Sequence, residues 1–81
     1  MNYRLSAHAA ARLRERKVPI EWLQSVLDKP EQILVAAHGR QILQSIFIRD
    51  GKQWMLRVIV QDDLVITAML TSKIEKYGGG L

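Results

Sequence analysis

Three tight turn signals cut the second half of this chain into short β-like runs: Gly39, Asp50-Gly51 and Asp62-Asp63. Loops this short join antiparallel neighbours, because a parallel connection needs a crossover of about a dozen residues or more. Asp-Gly between two alternating runs is a strong hairpin signal, since a tight hairpin turn asks for positive φ at both central positions. The pattern predicts strands over 32–37, 40–48, 53–60 and 64–70, with Ile42, Gln44, Ile46 and Ile48 sharing one face of the second.

The first third has a different rhythm. Ser6 is a good N-cap, and 7–17 contains no Gly or Pro and is rich in Ala, Leu and Arg. Leu5, Ala9 and Leu13 follow the four-residue spacing of a buried stripe. Pro19 suits the first turn of a second helix, where a missing N–H costs little. Ile20, Leu23 and Leu27 are its expected buried face, widened by Trp22 and Val26, and Pro30 ends it near Asp28 or Lys29. The expected architecture is α+β: two N-terminal helices packed on one face of a four-stranded antiparallel sheet whose other face is partly open. Residues 1–77 read as one domain, and 78–81 as a flexible Gly-rich tail.

Composition removes several chemistries. Hydrophobic residues make up 48% and charged residues 25% of the 81 positions, which fits a folded domain and not a disordered chain. There are no cysteines, so disulfides, thiolate metal sites and Cys nucleophiles are excluded. His8 and His38 are the only histidines, and neither has a carboxylate at metal-ligand spacing, so neither a metal nor another cofactor is expected. No Gly-rich phosphate loop follows a strand. No segment approaches the roughly 20 apolar residues of a membrane span, and a cytoplasmic location without membrane contact is expected.

The formal net charge is +4 with a pI near 9.9. Residues 1–20 carry Arg4, Arg12, Arg14, Arg16 and Lys17 against Glu15 alone, and the last residues add Lys73 and Lys76 against Glu75. If the two ends meet they form one basic patch, suited to phosphate-bearing partners such as RNA. His8, Arg12 and Arg16 stand at i, i+4 and i+8, in one row that Arg4 extends backward. The row shares a side with Leu5, Ala9 and Leu13, so Arg12 and Arg16 are expected to be partly covered and to have partners. Those partners are Asp28, Glu31 or carbonyls ending the second helix in a structural reading. In a functional reading they are phosphates, with His8 as a proton carrier.

The sheet adds a second group. A three-residue turn over 61–63 places Arg57 opposite Thr67, with Ser45 or Gln44 joining them from the second strand. In the closing segment, Lys73 and Lys76 carry charge to phosphate, while Tyr77 can stack on a base or donate a proton. The plainer readings are a solvated sheet face and a solvated tail.

The stretch His8-Ala9-x-x-Arg12-x-x-x-Arg16, followed by Val18-Pro19-Ile20 and Pro30, resembles a family of small bacterial and archaeal domains of unknown function. The closing Val65-Ile66-Thr67 and the basic segment Thr71-Ser72-Lys73 to Lys76-Tyr77 fit the same pattern, so the resemblance covers nearly the whole chain. Trp22 and the Gly-rich end are not part of that pattern. The layout also looks like the RelE/ParE-type toxins, which are related to small metal-independent ribonucleases. That resemblance implies RNA cleavage, in which a 2′-hydroxyl attacks its own phosphodiester while an acid, a base and fixed cations assist. For that chemistry the row and the basic ends of the chain offer His8, Arg12, Arg16 and Tyr77 as candidate catalytic residues and Arg4, Arg57, Thr67, Lys73 and Lys76 as candidate RNA contacts, and the resemblance implies a cognate antitoxin as partner. The alternative is a non-catalytic interaction domain or a homodimer.

Overall fold

The computed structural model describes residues 3–78. The chain runs β1 (Arg4–Leu5), α1 (Ala7–Glu15), α2 (Ile20–Asp28), β2 (Gln32–Val35), a 3-10 turn (Ala37–Gly39), β3 (Gln41–Arg49), β4 (Lys52–Gln61), β5 (Leu64–Thr71) and α3 (Ile74–Gly78). The mixed α+β class is as expected, but the sheet has five strands in the order β1-β5-β4-β3-β2, and there is a third helix. Of the expected tail, Gly78 ends α3, and Gly79, Gly80 and Leu81 lie outside the described residues.

Local chemistry sets the boundaries. The Ser6 hydroxyl caps α1 by accepting from the Ala9 N–H at 3.0 Å, and itself donates to the Ile66 carbonyl at 2.7 Å. One side chain therefore starts the helix and ties it to β5. At the other end Lys17 adopts φ 53°, and the N–H groups of Lys17 and Val18 close on the carbonyls of Arg14 and Leu13. This is a Schellman closure on a non-glycine residue. The Asp50-Gly51 hairpin has φ of 54° and 73°, as a primed two-residue turn requires.

β1 corrects the expectation of a purely antiparallel sheet. It pairs parallel with β5, Arg4 opposite Leu64 and Leu5 opposite Val65. Two exposed residues carry no alternation to reveal them; backbone bonds from Arg4 N–H to the Asp63 carbonyl (2.8 Å) and from Ser6 N–H to the Val65 carbonyl (3.0 Å) hold them. The Arg4 guanidinium also grips both Asp63 carboxylate oxygens, at 3.1 and 3.3 Å. Hydrogen bonds from Arg4 hold the Asp63 carboxyl below its usual range. That contribution to stability is complete above the ordinary carboxylate range and is lost as pH falls through the lowered value. Asp63→Asn should therefore flatten the acid limb of the unfolding profile slightly, since the pair is exposed and screened.

The core lies between the helices and one sheet face. Ala9 of α1 and Leu23 and Val26 of α2 pack on Leu43, Leu56, Val58, Val60, Val65, Ala68 and Leu70. Leu13, Trp22 and Leu27 are half-buried beside them, whereas Leu5 and Ile20, expected inside, are 43% and 56% exposed. Leu5 belongs to β1, and Ile20 is the first residue of α2, where the helix has not yet come down onto the sheet. Trp22 stacks on Phe47 with ring centroids 4.6 Å apart and planes 9° from parallel. Arg49 covers the Trp22 ring at 4.9 Å and donates to the carbonyls of Arg16 and Lys17. A cation at those closing carbonyls complements the negative end of α1.

Candidate anion-binding groove

The β4–β5 register sets the site. The turn has two residues, with Gln61 opposite Leu64, and a bulge follows, so that Val60 faces Val65 but Ile59 faces Thr67. Arg57 is consequently opposite Met69, not Thr67 as a three-residue turn would give. Without the bulge, Thr67 would turn toward the helices; with it, Thr67 and Met69 join Arg57 on the other sheet face. From β3, Gln44 stands opposite Arg57, and Ser45 pairs with Leu56 on the helix side.

Around this edge of β5 lies a groove of about 330 Å³, lined by Arg12 and Arg16 of the first helix region, Arg57 and Ile59 of β4, and Thr67 and Met69 of β5. Arg12 and Arg16 are exposed, which corrects the expectation that they would be covered. The physical reason is that α1 closes on the sheet along Ala9, with Leu13 packed beside it, and Arg12 and Arg16 fall outside that line of contact. Arg12 makes an exposed ion pair with Glu15 of its own helix at 3.6 Å. The Glu31 carboxylate accepts from the Ile46 N–H and so is used by the sheet. Arg12→Ala and Arg16→Ala should each change folding stability by no more than about 0.5 kcal/mol, measured by urea unfolding.

Arg57 is held on two sides. Its Nε donates to Gln44 Oε1 at 2.9 Å, and its guanidinium lies over the Tyr77 ring at 4.3 Å. Gln44 is fully buried; its Nε2 donates to Gln32 Oε1 at 2.6 Å and to the Tyr77 carbonyl at 3.4 Å. Among the described residues, the two terminal amino groups of Arg57 make no hydrogen bond. A guanidinium fixed in this way presents a ready fork to an anion. Gln44 is the site residue that sequence reasoning left undecided. Its only signal is a polar side chain within an otherwise apolar stripe, Ile42-x-Gln44-x-Ile46-x-Ile48.

The closing segment is not simply solvated. The Lys73 N–H donates to Thr71 Oγ1 at 3.0 Å, turning the chain so that α3 lies against β4 and Tyr77 is half-buried. Lys73 and Lys76 are exposed, and Lys76 Nζ lies 5.5 Å from the Tyr77 ring. The structure thus brings Arg12, Arg16, Arg57 and Thr67 to one groove, with Tyr77 behind Arg57. It does not bring Arg4 there, since that side chain is clamped to Asp63. His8 is exposed on α1 one turn before Arg12 and is not a lining residue of the groove.

Among the described residues there is no cluster of three or more His, Cys, Asp or Glu able to hold a metal, and no helix long and apolar enough to cross a membrane. Comparison with protein-family models, with curated proteins and with solved structures finds no match.

Proposed function

We propose that this chain is an RNA-directed protein of the RelE-like kind, gripping backbone phosphates in the groove of Arg12, Arg16 and Arg57. The observation that carries the reading is that three arginines line one groove whose lining residues include no carboxylate, with Glu15, the exposed partner of Arg12, outside the lining. The exposed Lys73 and Lys76 extend the positive field beyond what one small anion needs. Tyr77 and the Arg57 plane are the kind of surface on which an unpaired base stacks, which favours a single strand over a duplex.

The RelE-like reading adds strand cleavage and a protein antitoxin. His8 is then the proton carrier, brought to the bound strand from the end of the Arg12–Arg16 row, with the arginines holding the charge that develops on phosphorus. His8→Gln should abolish cleavage while leaving RNA affinity within about threefold, and wild-type cleavage should survive EDTA. The assay is a labelled RNA incubated with each form, beside a binding titration. RNA bound but cut by neither form would retain the groove and remove the enzyme; no binding by the wild type would remove both.

A further inference from the structure

The opposite edge of the sheet carries a separate signal. β2 ends the strand order on the side away from the groove. Its sequence is Gln32-Ile33-Leu34-Val35, and Ile33 and Val35 are 55% and 88% exposed. Edge strands are usually blunted by Lys, Pro, a bulge or shortness; β2 has four residues and follows Lys29-Pro30, but within it there is no charge, Pro or bulge.

The backbone of β2 is set up for a further strand. The Ala36 N–H donates to the Arg40 carbonyl at 2.9 Å, which continues the β2–β3 register. Hydrogen-bonded pairs alternate along an antiparallel ladder, so Leu34 and Gln32 bond inward to β3. The N–H and C=O groups of Ile33 and Val35 therefore point outward. These are also the two residues with exposed apolar side chains, both on the helix side of the sheet.

We infer that β2 is the pairing strand of a symmetric dimer of this chain, running antiparallel to β2 of a second copy about Leu34. A two-fold axis normal to the sheet keeps each face on its own side. Ile33 then falls opposite Val35 of the second copy, exchanging both backbone hydrogen bonds and covering each apolar side chain with the other. Charge agrees with this direction: Glu31, which keeps its negative charge while one carboxylate oxygen accepts from the Ile46 N–H, precedes the strand and Arg40 follows it, both exposed, so antiparallel pairing brings the acidic start of each copy near the basic end of the other. The two grooves lie at the outer ends of the joined sheet and remain open. The inference does not rest on the RNA reading.

The test uses sedimentation velocity on the full chain together with single cysteines, which the cysteine-free sequence allows. Wild type should sediment as a concentration-dependent dimer. Val35→Pro removes one outward N–H and no β2–β3 bond, and should give a monomer with unchanged circular dichroism. Leu34→Cys should cross-link rapidly under mild oxidation, because the two copies of this position face each other in a non-hydrogen-bonded pair with Cβ atoms about 4.5–5.5 Å apart. Gln53→Cys, exposed on β4, should not. A wild type that is monomeric at millimolar concentration, a Val35→Pro variant that stays dimeric, or equal cross-linking at positions 34 and 53 would each overturn the inference.

Discussion

Alanine at Arg57 is expected to weaken binding of a single-stranded RNA by about ten- to a hundredfold, the 1.5–3 kcal/mol of a charge-assisted hydrogen bond. Arg57 is ordered before any ligand arrives. Gln44 Oε1 holds its Nε, and the Tyr77 ring lies under its plane. Little side-chain entropy is left to lose when phosphate binds, so the contact keeps more of its gross energy than a free surface arginine would. Lysine is a poor substitute, because it offers neither the Nε bond to Gln44 nor a two-pronged donor. Arg57→Lys should therefore bind nearly as weakly as Arg57→Ala. Arg14 lies away from the groove, beside Leu13 and Lys17 in a separate apolar recess, so Arg14→Ala should change affinity less than twofold. Fluorescence anisotropy on the three variants checks the order. Equal losses at Arg14 and Arg57 would mean that net charge, and not the groove, drives binding.

Trp22→Ala is expected to cost about 3 kcal/mol of folding stability, at the lower end for a large aromatic because the ring is only half-buried. The ring stacks on Phe47 and carries the Arg49 guanidinium, and so joins α2 to β3. Removing it leaves a gap beside Phe47 and takes away the surface on which Arg49 lies while bonding the closing carbonyls of α1. For a domain of this size the loss corresponds to a melting temperature lower by about 12 °C or more. Phe47→Ala should cost a similar amount, and the double variant less than the sum, because both changes break the same stack. Urea unfolding of the four forms measures this. A loss below about 1 kcal/mol for Trp22→Ala would show that the stack does not anchor α2.

The parts of the fold written in local chemistry were legible. Asp50-Gly51, the Ser6 cap, Pro19 and Pro30 each act through their own φ preference or hydrogen bond, so they mark the hairpin and both helices without tertiary information. What tertiary contacts decide was not legible. β1 consists of two exposed residues held by backbone bonds to Asp63 and Val65, and nothing in Arg4-Leu5 announces a parallel partner. The bulge at the start of β5 is invisible in an apolar run: Thr67 shares the face of Arg57 as expected, but through a two-residue turn and a bulge, which set it opposite Ile59 and leave Met69 opposite Arg57. The row His8, Arg12, Arg16 was correctly read as sharing a side of the helix. Its exposure was not, because a helical wheel gives direction but not where the sheet beneath ends. Gln44 draws its importance from what lies across and above it, Arg57 and Tyr77, which no local window contains.

Arg12, Arg16 and Arg57 are proposed to grip RNA phosphates as one unit, and every other functional assignment depends on that grip. Its most direct test is the affinity of the wild type for a single-stranded RNA over a salt series, beside the variant with all three arginines replaced by alanine. Each neutralised phosphate of a single strand contributes a slope of about −0.7 in log affinity against log salt. Three phosphates predict a wild-type slope of about −2 or steeper and a variant slope shallower by about 2 units. Wild-type binding that is absent or insensitive to salt, or a variant whose slope matches the wild type, would contradict the account.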